Sequence, residues 1–317
     1  MGLSIPLIPG VLATALAAQG IRKRSLSPSG GLAAFIVGYL MMAVPFRGFG
    51  VSLIVFYLTG SKVTKVGKQI KGSLEEGHDE NGYRSGWQVL CNSISAFIAS
   101  CLWAAMFSPE SIHSYLFGSF LPPHLSWHRA NFSMDMTCPL NPHIGGGWSR
   151  TLVLIALGHF ACCLGDTMAS ELGILSKSPP RLITTLARVP PGTNGGLSTS
   201  GTLASLAGGV IMGLTMFTSL MIESAGCRTD IGKHLASTVL AGALGGLGGS
   251  ALDSILGATV QKTDFSNSTN RIITDETKTK PREVGEVKTI SGLDLLSNNQ
   301  VNLISSMATG LALGWLA

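Results

Sequence analysis

Eight apolar stretches run through this chain, and none of them contains a lysine or an arginine. They fall at about 3–20, 30–45, 48–60, 86–107, 151–175, 199–222, 234–259 and 300–317. A transmembrane helix needs roughly 20 mostly apolar residues. The pattern therefore predicts an all-α, polytopic membrane protein with about eight transmembrane helices. Span 48–60 is short, which leaves a re-entrant or broken helix open at that point. Composition agrees: 45% of the 317 residues are hydrophobic, 12% are charged and mean hydropathy is +0.38, whereas soluble domains are about a quarter charged. Forty glycines without a three-residue period exclude collagen and suit closely packed membrane helices.

The basic residues orient these spans. Segments 21–29, 61–85, 176–198 and 260–299 carry seventeen of the 22 Lys and Arg; the other face has Arg47, Arg129, Arg150, Arg228 and Lys233. The positive-inside rule makes the richer face cytosolic, so both termini are expected in the lumen of the endoplasmic reticulum or another endomembrane. This distribution also accounts for the net charge of +5 without a nucleic-acid partner. Residues 1–20 read as a first span, since they lack the basic start of a cleaved signal. Asn131 and Asn267 begin glycosylation sequons on opposite predicted faces, so they do not decide orientation.

The chain reads as one membrane domain, 1–317. Its lumenal loop is 108–150 and its cytosolic loop 260–299, with 263–299 expected to be flexible and solvated. Ser27-Pro-Ser-Gly-Gly-Leu-Ala-Ala-Phe-Ile-Val-Gly38 aligns with Ser198-Thr-Ser-Gly-Thr-Leu-Ala-Ser-Leu-Ala-Gly-Gly209. Gly60–Lys65 matches Gly257–Lys262 in the same way, and Gln88-Val89 matches Gln300-Val301. These matches, in one order, suggest a parallel duplication with halves 1–107 and 151–317.

Cys91, Cys101, Cys162 and Cys163 sit in apolar runs and read as small hydrophobes. Cys138 and Cys227 fall in loops. No metal spacing involves them, and they are expected to stay unpaired, with a disulfide as the alternative. His113, His124, His128 and His143 lie in the 108–150 loop at spacings that match no familiar metal site.

Ionisable groups inside spans default to functional candidates. Asp166, Glu171 and Asp253 all fall in the cytosolic halves of their spans. Asp166 and Glu171 lie about 140° apart on an ideal helix. One pocket takes both only if the helix breaks near Gly165 or the pocket wraps its end. The Gly192-Thr193-Asn194-Gly195-Gly196 turn leads to a helix start at Ser198, where free amides favour phosphate. Arg181, Arg188, Lys62 and Lys65 add positive charge at the same level. Arg84, Gln88, Asn92, Asn298, Asn299 and Asn302 line the starts of two further spans. Carboxylates, amides and cations gathered at one face suit Mg²⁺ with a phosphate. Asp166, Glu171 and Asp253 are the metal candidates, and Arg181 and Lys62 the cations that meet the phosphoryl group. His159, one turn from Asp166, is the weaker candidate for a base.

Several of these segments resemble the transmembrane protein 19 family, which includes the plant phytyl-phosphate kinase. They are Arg22–Gly30, Thr59–Lys65, Gly165-Asp-Thr-Met-Ala-Ser-Glu-Leu-Gly173, Arg181–Thr185, Pro191–Gly196, Asp253–Thr259 and Ser297–Asn302. The resemblance covers nearly the whole chain except 108–150 and 263–290. It implies Mg²⁺-dependent transfer of a phosphoryl group from a nucleoside triphosphate, CTP or ATP, to a membrane-embedded isoprenyl monophosphate, giving the diphosphate. The expected partners are thus an isoprenoid phosphate and a nucleotide. A transporter of an anionic or polar solute and a non-catalytic lipid-binding protein are the rival readings.

Overall fold

A computed structural model describes residues 6–76, 83–121, 132–273 and 287–317. Among the described residues a helix occupies part or all of each predicted apolar stretch. The helices are α1 (Leu7–Arg22), α2 (Pro28–Met42), α3 (Gly48–Val63), α4 (Lys68–Leu74), α5 (Gly86–Cys91), α6 (Ile94–Phe107), α7 (Ile112–Phe117), α8 (Trp148–Gly173), α9 (Thr199–Glu223), α10 (Ile231–Thr259) and α11 (Asn298–Trp315).

Among the described residues, three helical segments are long and apolar enough to cross a bilayer: Ile144–Gly173, Thr199–Glu223 and Ala225–Thr259. A fourth is counted if α3 and α4, bent by 73° across a short break, form one span. The expected interruption thus comes after α3. A second one divides 86–107 at Asn92-Ser93, where the Ser93 hydroxyl turns back to the Val89 carbonyl at 2.8 Å.

Helices α8, α9 and α10 form the centre, and glycine is the reason they fit. A Cβ on Gly165 would stand 2.8 Å from the Gly246 Cα, and one on Gly209 would stand 2.2 Å from the Gly242 carbonyl oxygen. With no hydrophobic drive between helices in lipid, such backbone approach lets dispersion hold them together. Trp103, fully buried, packs with Phe46, Phe49, Phe107 and Phe132 at the other end. Its indole N–H donates to Ser149 at 2.9 Å.

Helix starts repeat a local design. Ser27 and Ser198 each cap a helix by accepting from the glycine amide three residues on, at 2.9 and 3.1 Å. Each also contacts the serine two residues on. Ser85 and Ser297 are N-caps of α5 and α11, each followed by a glutamine at the third position.

Two expectations are corrected. The 260–299 region is not a bare loop, so the chain is mostly rather than wholly α-helical. Strands β2 (Arg181–Leu182) and β3 (Gly196–Leu197) pair by themselves, while β4 (Thr263–Ser266), β5 (Arg271–Ile273) and β6 (Val287–Ser291) join β1 (Glu75–Glu76) in a sheet of order β1-β5-β4-β6. Thr263, Ile272 and Ile273 are buried, and such β-branched residues favour a half-buried pleat. Strand β1 pairs parallel with β5, which ties the segment after α4 to the loop after α10. The second correction is covalent: Cys138 and Cys227 form a disulfide. It joins the segment before α8 to the turn between α9 and α10, a bridge that spacing alone does not reveal.

His113 is buried and meets the Leu40 carbonyl at 2.9 Å, so it serves packing. His143 is exposed. His124, His128, Asn131, Lys278, Lys280 and Arg282 lie outside the described residues.

Candidate functional site

A cavity of about 770 Å³ opens beneath the sheet. Its lining combines polar side chains, among them Asp166, Glu171, Asp253, Arg84, Asn299 and Asn302, with apolar residues of α1 to α3 such as Ala13, Val37, Met42, Leu53, Ile54 and Phe56.

The acids reach this space in different ways. Asp166 stands seven residues before the end of α8, Asp253 six before the end of α10, and Asn302 four after the start of α11. At 1.5 Å per residue these depths are about 10.5, 9 and 6 Å, and all three residues line the cavity. Helix α8 is unbroken, and the cavity wraps its C-terminal end. That is how Asp166 and Glu171 share a space despite pointing about 140° apart.

Two hydroxyls organise the pair of aspartates. Ser305 donates to Asp253 Oδ2 at 2.9 Å, and Ser250, one turn before Asp253, makes a longer contact of 3.4 Å with Asp166 Oδ1. Among the described residues neither aspartate forms an ion pair, whereas Glu171 pairs with Lys71. The Asn302 side-chain oxygen is buried in the same wall without a hydrogen-bond partner among the described residues. Ser250, Ser305 and Lys71 were not singled out from the sequence. Ser250 and Ser305 lie three residues from Asp253 and Asn302, a spacing that puts each on its partner's helical face and could have found them.

Arg84 belongs to the cavity, as its backbone pairs with Ser25 and Ser27 and its guanidinium donates to Ser61 at 3.1 Å. Gln88, Asn92 and Asn298 also line it. Lys62, Lys65, Arg181 and Arg188 do not: all four are exposed. The Arg181 guanidinium instead donates to the Leu186 carbonyl at 2.9 Å, closing the turn after β2 (Arg181–Leu182). Their expected role at the phosphate is therefore not supported by position.

The glycine turn lines the cavity from Gly192 to Ser198, but three of its amides are already used. Thr193 donates to Pro190, Asn194 to the Thr263 hydroxyl and Gly196 to Thr193. The Ser198 hydroxyl caps α9. The turn thus acts as wall rather than as an open anion nest. Gly195, at φ +74, is pressed against α10, where a Cβ would lie 2.5 Å from the Ser254 carbonyl oxygen. His159 is buried in the core against Ser95, at 2.6 Å, and outside the cavity lining.

Long apolar helices enclosing a cavity of mixed polar and apolar lining define an integral membrane protein with an internal site. The chain belongs to the family described as integral membrane protein DUF92, whose model matches residues 11–310. It is 36% identical over 299 residues to Protein PGR of Arabidopsis thaliana, covering 94% of this chain and 91% of that one. A membrane protein of Methanocaldococcus jannaschii is 27% identical over 83% of this chain and 87% of its own. One of a Synechocystis species is 28% identical over 75% and 73%. No solved structure matches.

Proposed function

We propose that this protein transfers the γ-phosphoryl group of a nucleoside triphosphate to a membrane-embedded isoprenyl monophosphate, giving the diphosphate. The observation that carries the proposal is a single cavity lined both by an acid pair and by apolar side chains of α1 to α3. An amphipathic phosphate ester has that polarity. Its tail lies among α1, α2 and α3 while its head reaches Asp166 and Asp253.

Two neighbouring carboxylates held by hydroxyls, with no ion pair to either among the described residues, suit a divalent ion. Asp166 and Asp253, with the Asn302 oxygen, are the oxygen donors Mg²⁺ takes alongside substrate phosphates. Glu171 is excluded from this set by its pairing with Lys71. Bound there, Mg²⁺ would supply neutralisation of phosphate charge. An oxygen of the isoprenyl phosphate attacks the γ-phosphorus, the bond to the β–γ bridging oxygen breaks, and the nucleoside diphosphate leaves. The attacking phosphate is already ionised, so no general base is required, which accords with a His159 buried away from the cavity. Positioning and electrostatics do most of the catalysis.

In this account the chain crosses the membrane eight times as two duplicated halves, which the paired serine caps of α2 and α9 support. The basic face and the cavity mouth are cytosolic. The termini lie in the lumen of the endoplasmic reticulum or a related membrane, where an oxidising environment preserves the Cys138–Cys227 bridge. The acids lie about 10 Å beneath the helix ends, short of the midplane expected for a transporter.

The test is turnover. Purified protein with Mg²⁺, CTP or ATP, and farnesyl or geranylgeranyl monophosphate should yield the isoprenyl diphosphate. A preparation that is folded and forms no diphosphate with any of these pairs overturns the proposal.

A further inference from the structure

Within the cavity lining, the described basic residues are Lys71 and Arg84, and they differ in kind. Arg84 ties α2 to the end of α3 through Ser25, Ser27 and Ser61. Lys71 comes from α4, the short helix that turns back by 73° after α3. Its side chain is 1% exposed, yet it borders the cavity.

The ammonium group has three donors, and its surroundings divide them unevenly. Two go to main-chain carbonyls at the end of α3, Thr64 at 3.2 Å and Val63 at 3.5 Å. These oxygens belong to the negative end of a helix dipole and cannot move away from the lysine. The third goes to the Glu171 carboxylate, which is 21% exposed and sits two residues before the end of α8. The cation is held by backbone and almost fully buried, whereas its anion is a side chain that is partly exposed.

We propose that Lys71 is the residue that binds a phosphate group in this cavity, with Glu171 as the placeholder the phosphate displaces. This rests on the phosphate-handling function above. A buried ammonium must keep an anionic partner, and a phosphate oxygen can take over that place while Glu171 turns toward water. The α4 bend exists, on this view, to bring a lysine inward from a segment that is otherwise part of the basic face. The exchange also explains why a third acid lines the cavity without serving the metal.

The sign of one substitution decides the matter. Binding of inorganic pyrophosphate with Mg²⁺ is measured by calorimetry on the purified full chain. Glu171→Gln frees Lys71 and should tighten binding by several-fold; if Glu171 were a metal ligand the same change would weaken it. Lys71→Met leaves the Glu171 carboxylate without its cation and risks the fold, so the informative variant is Lys71→Met with Glu171→Gln. It should keep the wild-type melting temperature and lose binding by about 10-fold or more, as expected for a charged hydrogen bond. Pyrophosphate bound by that double variant within about twofold of wild type would overturn the role of Lys71 and leave the phosphate reading intact. Wild-type protein that binds no pyrophosphate would overturn both.

Discussion

Asp166 and Asp253 come from α8 and α10, and each is steadied by a hydroxyl from a different helix. Such outer contacts orient metal-binding carboxylates and commonly matter 10- to 100-fold for metal affinity. Ser305→Ala should therefore raise the Mg²⁺ concentration needed for half-maximal turnover by roughly 10-fold, with expression and melting unchanged. A Mg²⁺ titration of the variant that superimposes on wild type would remove Ser305 from the site. At this scale the sequence is a partial guide. A charged residue in an apolar run announces itself, so all three acids were legible. Lys71 was not, because it sits in a run of basic loop residues and only the bend of α4 turns it inward. The reverse holds for Lys62, Lys65, Arg181 and Arg188, whose charge suggested a site that their exposure denies. The glycine turn misled for a third reason: composition shows amides but not the Pro190, Thr193 and Thr263 oxygens that consume them.

Helices α8, α9 and α10 depend on glycine at their crossings, and this dependence is specific to position. A side chain at Gly209 would meet the Gly242 carbonyl, which is backbone and cannot step aside. Gly209→Val should therefore cost about 2–3 kcal/mol or prevent folding, in keeping with overpacked interiors. Gly232→Ala, in an open position on α10, should be neutral by comparison. Thermal unfolding in detergent separates the two, and equal melting temperatures would refute the crossing. The Cys138–Cys227 bridge closes a loop of 89 residues. Replacing both by serine should lower stability by about 2–4 kcal/mol, read as a fall in melting temperature that matches the fall caused by reductant. Helices were legible because apolar length and serine caps mark them. The break at Asn92-Ser93 and the sheet over the cavity were not. Strands of two to five residues carry too little periodicity to register, and β1 pairs with a strand nearly 200 positions away in sequence.

At the scale of the whole molecule, the proposed orientation rests on where the basic loops and the disulfide lie. Single cysteines introduced at Ser178 and at Gly146, both in exposed positions, should be modified by a membrane-impermeant reagent from opposite sides. Labelling of both from one side would contradict the proposed topology. The measurement that reaches furthest into the account is the rate of isoprenyl diphosphate formation by Asp166→Asn protein beside wild type, at saturating Mg²⁺ and nucleotide. That substitution removes one negative charge from the acid pair while keeping its shape. The account predicts a fall of at least about 100-fold, equivalent to roughly 3 kcal/mol of transition-state stabilisation, with the variant still folded. A folded Asp166→Asn protein that makes the diphosphate at the wild-type rate would contradict it.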